Sequence, residues 1–268
     1  MAKLTDFQAL LFDVDLTLSN SQRSISSLTE RLLKQLASQG YQLGVCTGRP
    51  YASLRKGVVQ IFPEDSLHIT CGGAQIITSR GEVIWEKVIA AETTKSILAE
   101  AQKYNLSFYI PEGEFGYGTD LFIQQYENLH KLVAELKPIA ELQNFDVPII
   151  AFFNIGPEFL AYLKSRTDIQ VKLSRSGKEV ISVDVTALGV TKATALTEWC
   201  QLQNLSSTDI IGFGDSDNDL EFLGNVGLAV AMGNASEAIM SIADKVIGHA
   251  DEDGVGIYLE KITQGAEV

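Results

Sequence analysis

The sequence is poor in the residues that build disulfide frameworks and zinc sites. Three cysteines occur in 268 residues, at Cys46, Cys71 and Cys200, and no two of them form a Cys-x-x-Cys pair. This spacing argues against a zinc knuckle or a redox dithiol. We interpret the three as small buried apolar residues in a reducing compartment. The three histidines are isolated as well and lack the spacing of a metal site.

Positive charge and long apolar runs are also scarce. The chain has 21 Lys and Arg against 34 Asp and Glu, a formal net charge of -13. Such a surface repels nucleic acid and anionic membranes, so we expect neither as a partner. No apolar run reaches the roughly 20 residues of a transmembrane helix, and the first residues lack the build of a secretion signal. We therefore expect a cytoplasmic protein, either a monomer or a weak homodimer.

Both ends of the chain alternate apolar strands with amphipathic helices. This pattern indicates an α/β fold, with a Rossmann-like doubly wound parallel sheet as its core. We assign residues 1–84 and 186–268 to this core domain. The predicted strands of the core are Ala9 to Val14, Tyr41 to Cys46, Leu67 to Cys71, Asp209 to Phe213, Val226 to Ala231 and Lys245 to Ile247.

Residues 85–185 break this alternation and are predicted to form an inserted α+β domain. A hairpin at residues 74–88 precedes the insertion, and a strand pair between Ile169 and Val185 ends it. Inside the insertion, the pattern predicts a helix from about Tyr126 to Glu135. The glycine-rich stretch from Glu112 to Asp120 has two interpretations, a loop that faces a substrate or an ordinary exposed connection.

The first predicted strand ends in two carboxylates, Asp13 and Asp15, followed by the hydroxyl of Thr17. Burying unpaired carboxylates is costly, so a cation or a lysine must compensate them. Ligands of open parallel sheets gather at the carboxyl ends of the strands. Other polar residues at such ends, or at the start of a later helix, are Thr47, Gly48, Arg49, Lys192, Asp215, Asp217, Asn218 and Asp219.

This set resembles the haloacid dehalogenase superfamily, in its Cof-type phosphatase branch. The resemblance covers nearly the whole chain, and its motifs occur in the family's order. They are Asp13-Val14-Asp15-Leu16-Thr17, Thr47-Gly48-Arg49, the stretch from Gly189 to Leu196, and Gly214-Asp215-Ser216-Asp217-Asn218-Asp219. The resemblance implies that the insertion is a type-two α+β cap, which usually determines substrate specificity in that family.

The resemblance also implies a role for individual residues. Asp13 would be the nucleophile that forms an aspartyl-phosphate, and Asp15 the general acid and base. The implied Mg²⁺ ligands are the carboxylates of Asp13 and Asp215 and the backbone carbonyl of Asp15, with Asp219 as a supporting acid behind them. The implied phosphate-binding residues are Thr47, Gly48, Lys192 and Asn218.

The implied activity is a Mg²⁺-dependent phosphatase that acts on a small phosphomonoester, such as a sugar phosphate or a similar metabolite. Two alternatives stay open, a phosphomutase of the same superfamily and a phospho-receiver or binding protein without turnover. The sequence departs from the family pattern twice. Leu16 stands where glycine is usual, and Gly72-Gly73-Ala74 stands where Asn-Gly-Ala is frequent. The second departure leaves specificity open, but neither removes a reacting group.

Overall fold

The computed structural model describes residues 2–126, 135–176 and 179–268. The described residues group into two compact units. The first unit draws on the ranges 1–48, 55–84 and 191–268, and the second on the ranges 49–54 and 85–190. None of the helices in the described part of the chain combines the length and the apolar character that crossing a bilayer requires.

The strands are short and lie in both units. They are β1 (Ala9–Phe12), β2 (Gln42–Val45), β3 (Leu67–Thr70), β4 (Gln75–Thr78), β5 (Val83–Glu86), β6 (Ser107–Glu112), β7 (Phe115–Gly118), β8 (Glu135–Pro138), β9 (Ile150–Phe153), β10 (Ile169–Ser176), β11 (Glu179–Ala187), β12 (Ile210–Gly214), β13 (Leu228–Ala231) and β14 (Lys245–Val246).

The helices range from a single turn to about three turns. They are α1 (Ser27–Ser38), α2 (Tyr51–Leu54), α3 (Ala91–Lys103), α4 (Asp120–Tyr126), α5 (Pro157–Ser165), α6 (Lys192–Gln203), α7 (Leu220–Leu223), α8 (Glu237–Ile242) and α9 (Gly254–Thr263).

The first unit is built on a five-stranded sheet in the order β14-β13-β12-β1-β2. All its neighbouring strands are parallel. The residues of β1, from Ala9 to Phe12, are fully buried. A parallel strand with both faces covered has an unbroken apolar sequence of this kind. The predicted α/β class with a parallel core sheet is therefore confirmed.

One strand departs from the predicted parallel sheet. β3 belongs to a separate three-stranded sheet, β3-β4-β5, in which β3 and β4 are antiparallel. An isolated bridge between Cys46 and Ile69 joins it to the end of β2. The ring of His68 also takes part, because its Nδ1 accepts a hydrogen bond from the Val45 amide at 3.2 Å. The His68 ring thus accepts a hydrogen bond that a backbone carbonyl would accept in a regular β-ladder.

The second unit contains a six-stranded sheet in the order β10-β11-β9-β6-β7-β8. Its pairs are antiparallel except for β7 with β8. Aromatic contacts hold its core, with Phe152 packed against both Phe108 and Phe159. The predicted strand pair near its end is confirmed as β10 and β11. The predicted helix from Tyr126 to Glu135 lies almost wholly outside the described residues.

The glycine-rich stretch from Glu112 to Asp120 is not a loop. Most of it forms the turn between β6 and β7 and the strand β7 itself. Gly116 has to be a glycine, because a Cβ there would lie 2.0 Å from Cε2 of Tyr109. Gly116 therefore makes room for an aromatic ring on the sheet, a packing role that glycine content alone did not reveal.

Candidate active site

Two neighbouring strands carry acidic side chains to the same edge of the core sheet. Asp13 directly follows β1, and Asp215 directly follows β12. The two strands pair in parallel, with Phe12 opposite Phe213. The Asp13 amide extends the ladder by donating to the Phe213 carbonyl at 2.9 Å. Both carboxylates are buried, at 5% and 8% exposure, so each needs a compensating partner.

Lys192 supplies that partner from the start of α6. Its side chain is buried at 1% exposure. Nζ donates to Oδ1 of Asp13 at 2.6 Å and to Oδ1 of Asp219 at 2.5 Å. A cation at a helix N-terminus is opposed by the helix dipole. The two carboxylates must therefore outweigh that repulsion, and the lysine and the acids hold each other in place.

A glycine in the turn after β3 sets the position of this helix start. The turn covers Cys71–Gly73, and Gly73 has a φ of +105°. A Cβ on Gly73 would lie 2.2 Å from the carbonyl oxygen of Thr191. Thr191 is the N-cap of α6 and accepts from the Thr194 amide. The backbone of the turn therefore packs directly against the residue before Lys192.

The buried charges do not balance. Asp13, Asp215 and Asp219 each bring a carboxylate oxygen within 4.8 Å of the others. When all three are ionised, they exceed the single ammonium of Lys192 by two negative charges, a state that burial disfavours. Burial raises the pKa of Asp13 to about 8, although Lys192 acts to lower it and Asp219 to raise it. Burial also raises the pKa of Asp215 to about 7, with Asp219 adding to the shift.

The pKa of Lys192 is shifted in the direction opposite to the effect of its burial. Burial alone lowers the pKa of its ammonium, but the carboxylates of Asp13 and Asp219 outweigh it and hold that pKa above its usual value. The lysine is therefore charged throughout the physiological range. A divalent cation beside the carboxylates would balance the remaining excess, and carboxylate oxygens are the ligands that Mg²⁺ prefers.

Asp219 fits a supporting position better than a ligand position. Its Oδ1 is taken by Lys192. Its Oδ2 accepts from the amides of Asp215 and Ser216 at 3.3 and 3.2 Å. Both oxygens thus serve to fix the lysine and the loop after β12. Asp13 keeps Oδ2 outside any hydrogen bond to the described residues, which leaves that oxygen available to a ligand.

Asp215 is held by two further side chains. Thr17 donates from Oγ1 to its Oδ1 at 3.2 Å, and Asn234 donates from Nδ2 to its Oδ2 at 3.4 Å. Sequence reasoning placed Thr17 at the strand end but assigned no role to Asn234. Asn234 lies in a segment, 227–235, that is also similar to the Cof-type branch, but its position there did not indicate the contact with Asp215.

Other predicted site residues lie in the segments that follow β1 and β2. Asp15 is exposed at the turn after β1, and Thr47 is buried after β2. The Thr47 amide is used in a hydrogen bond to the Ile69 carbonyl at 2.9 Å. Gly48 is partly exposed, and a Cβ there would meet nothing within 4 Å. Open space therefore borders its backbone.

Asn218 is not joined to the acidic cluster. It is exposed, and its Oδ1 accepts from the Ser216 hydroxyl at 2.9 Å. Asp217, in the same short turn, accepts from the hydroxyl of Ser236 at 2.7 Å. Of the predicted site residues, the structure thus brings Asp13, Lys192, Asp215 and Asp219 into direct or near contact.

Comparisons with known proteins agree with this geometry. The family model for haloacid dehalogenase-like hydrolases matches residues 10–259. Among curated proteins, the chain is 24% identical over 258 residues to the 5-amino-6-(5-phospho-D-ribitylamino)uracil phosphatase of Bacillus subtilis, which covers 93% of each chain. It is 26% identical over 261 residues to an HMP-PP phosphatase of Yersinia pseudotuberculosis, which covers 94% of each.

Solved structures show the same fold over nearly the whole length. A haloacid dehalogenase-like hydrolase from Bacteroides thetaiotaomicron superposes with a TM-score of 0.81 at 23% identity, over 96% of this chain and 99% of that one. A sugar phosphatase of haloacid dehalogenase subclass IIB gives a TM-score of 0.76 at 25% identity, over 94% and 98%. The chain belongs to the haloacid dehalogenase-like hydrolase family, in its Cof-type branch.

Proposed function

We propose that this hydrolase is a Mg²⁺-dependent phosphatase that cleaves a small phosphomonoester through an aspartyl-phosphate on Asp13. The observation that carries the proposal is the buried cluster of three carboxylates around Lys192. When fully ionised, the cluster carries two negative charges beyond that of Lys192, and these fit a divalent cation. The cluster can accept a phosphate dianion only when that cation is present, because the carboxylates otherwise repel the substrate.

The chain's own residues divide the reaction between them. A carboxylate oxygen of Asp13 attacks phosphorus, and the bond from phosphorus to the leaving oxygen breaks. Asp15 gives its proton to that oxygen, and it later takes a proton from the water that splits the acyl phosphate. Its exposure at the turn after β1 suits a group that must meet both the leaving group and water.

Other residues would hold the charges in place. Lys192 keeps Asp13 oriented through the 2.6 Å hydrogen bond and neutralises charge on the transferred phosphoryl group. Thr47 and the amide of Gly48 would bind phosphate oxygens, and the open space beside Gly48 supports this. For Asn218, a role in phosphate binding rests on its motif position alone. When bound, Mg²⁺ would be held by Asp13, Asp215 and the Asp15 carbonyl and would stabilise negative charge on the phosphoryl oxygens.

We also infer that the inserted domain, residues 85–185, selects the substrate. The relatives support a small phosphorylated metabolite, since their names specify HMP-PP, a phosphoribitylamino-uracil and sugar phosphates. A sugar phosphate or a similar metabolite is the class that we propose for this chain.

Phosphate release from a panel of sugar phosphates, nucleotides and phosphorylated cofactors tests the proposal. We expect multiple turnovers with Mg²⁺, none with chelator, and recovery when Mg²⁺ is restored. Asp13→Asn should abolish turnover without loss of folding, because the amide oxygen can still accept from Lys192. Chromatography of the product sugar separates hydrolysis from isomer formation. Undiminished turnover in chelator, or a tenth of the activity left in Asp13→Asn, would contradict the mechanism.

A further inference from the structure

Asn234 connects three backbone segments of the first unit through one amide group. Nδ2 donates to the Leu16 carbonyl at 2.9 Å and to Oδ2 of Asp215 at 3.4 Å. Oδ1 accepts from the Ala250 amide at 2.9 Å. An N–H must face an acceptor, so the Ala250 contact fixes which end of the amide is oxygen. Both hydrogens of Nδ2 are therefore directed at the loops that follow β1 and β12.

The contact between Asn234 and the Leu16 carbonyl supports an unfavourable backbone conformation. The φ of Leu16 is +57°, a left-handed conformation that is unfavourable for a residue with a Cβ. Its side chain is 40% exposed, so burial of the leucine contributes little to hold the turn. The hydrogen bond from Asn234 to its carbonyl supports this conformation, beside the bonds within the turn from the amides of Leu18 and Ser19 to the carbonyls of Asp13 and Val14. The peptide unit next to Leu16 carries the carbonyl of Asp15, a proposed cation ligand.

The contact between Asn234 and Asp215 orients a carboxylate that we propose as a cation ligand. Thr17 restrains one carboxylate oxygen and Asn234 the other, so the side chain is oriented without help from a cation. Asp13 is restrained separately by Lys192. The cation ligands thus fall into two groups. Asn234 supports the Asp15 turn and Asp215, whereas the nucleophile depends on the lysine.

We propose that Asn234 is a positioning residue that fixes Asp215 and the Asp15–Leu16 turn in one arrangement and so prepares the Mg²⁺ site before the cation binds. This rests on the proposed function above. A preorganised site loses less conformational freedom on binding. Loss of Asn234 should therefore weaken Mg²⁺ binding more than it slows the chemistry once Mg²⁺ is saturating.

Asn234→Ala tests this directly, with Asn225→Ala as the matched control. Asn225 also donates from Nδ2 to a backbone carbonyl, that of Glu221 at 2.7 Å, but at an exposed site. We expect the Mg²⁺ concentration for half-maximal aryl phosphate hydrolysis to rise about tenfold in Asn234→Ala, the scale of one hydrogen bond to a charged group. Turnover at saturating Mg²⁺ should fall by less than about threefold, and Asn225→Ala should match the unsubstituted protein.

Thermal unfolding without substrate gives a second measurement that does not depend on activity. The rise in Tm produced by Mg²⁺ should shrink in Asn234→Ala at intermediate Mg²⁺ concentrations. Loss of the Ala250 contact lowers the Tm of the variant even in chelator. The effect on Mg²⁺ binding is therefore read from the rise in Tm that Mg²⁺ produces above the value in chelator. Equal Mg²⁺ responses in Asn234→Ala and Asn225→Ala would overturn the proposal.

A double substitution isolates the Leu16 contact. Glycine adopts the left-handed conformation without strain, so Leu16→Gly should restore part of the Mg²⁺ affinity that Asn234→Ala loses. A purely additive outcome for the pair would contradict the support of the turn. If the unsubstituted protein shows no Mg²⁺-dependent phosphate release at all, the proposed function fails. If it is active and Asn234→Ala keeps its Mg²⁺ dependence, only the role of Asn234 fails.

Discussion

The two units of the molecule treat charge in opposite ways. The first unit buries Asp13, Asp215, Asp219 and Lys192 in one cluster. Among the described residues of the second unit, no charged side chain is buried to that degree. The nearest is the half-buried Asp184 on β11, where burial raises the pKa to about 6.

The described ion pairs of the second unit lie at or near the surface, and aromatic rings pack in its interior. Lys103 and Glu100, for example, pair at 2.6 Å with 67% and 23% of their side chains exposed. Buried charge is costly unless it is fully paired, and the second unit, which we propose to select the substrate, carries no such cluster among its described residues. The proposed reaction explains why the first unit retains its buried charges at that cost.

The largest expected difference comes from removing one cation from each unit. Lys192→Met leaves three buried carboxylates without their partner, so we expect a loss of about 3 kcal/mol or more in unfolding free energy and no measurable turnover. Lys103→Met removes a surface pair of the second unit and should change the unfolding free energy only slightly. Urea unfolding in chelator measures both. Similar losses of unfolding free energy in the two variants would contradict the difference in buried charge between the units.

A smaller effect should follow from a methyl group at the turn behind Lys192. Gly73→Ala places a Cβ against the Thr191 carbonyl, and the shift needed to relieve it displaces the start of α6. We expect about 1–3 kcal/mol of destabilisation and a marked fall in turnover. Gly72→Ala is the control, because its φ of +66° is also left-handed but nothing lies within 4 Å of its Cβ. Equal turnover in the two alanine variants would show that the close approach is irrelevant to the site.

The smallest effect concerns His68, a buried titratable group of the first unit that stays neutral. Burial lowers its pKa to about 3, and its Nδ1 accepts from the Val45 amide while Nε2 contacts the Ser79 hydroxyl at 2.8 Å. The unfolded histidine titrates near 6.5. The unfolded state therefore binds more protons between pH 6.5 and about 3, and stability falls as pH falls through that range.

His68→Asn keeps an acceptor for Val45 but cannot titrate. The variant should be less stable than the unsubstituted protein at pH 8, since it loses the Ser79 contact and the ring packing against Phe62. Its deficit should shrink towards pH 5 by up to about 1.4 kcal/mol per pH unit. Urea unfolding of both proteins at several pH values measures the difference in their unfolding free energies. The titrations of the other groups largely cancel in this difference, because both proteins contain them. A deficit that is constant from pH 8 to 5 would contradict a neutral buried His68.

The sequence allowed the core fold and the acidic cluster to be predicted because both depend on local patterns. An apolar run that ends in Asp13 predicts a strand end, and parallel strands bring their carboxyl ends to one edge. The role of Asn234 could not be predicted in this way, since the backbone carbonyl that accepts its shortest hydrogen bond belongs to Leu16, near the other end of the chain.

Two other features were hidden for similar reasons. β3 has the apolar sequence of a core strand, but the ring of His68 intervenes between it and β2. Gly116 suggested a flexible loop, whereas the ring of Tyr109 requires its missing side chain. In each case the deciding contact is made by one particular side chain in the folded structure, so composition and spacing carry no record of it.

The central place of β1 has a consequence for how the protein is made. β1 is synthesised early, yet one of its two neighbours in the sheet is β12, which leaves the ribosome some two hundred residues later. Until then a nascent chain carries a wholly apolar strand with one open edge, a feature that invites aggregation. Asp13 also lacks its ammonium partner until α6 has been synthesised. We therefore expect truncated products that end before β12 to require chaperones and to have no hydrolytic competence.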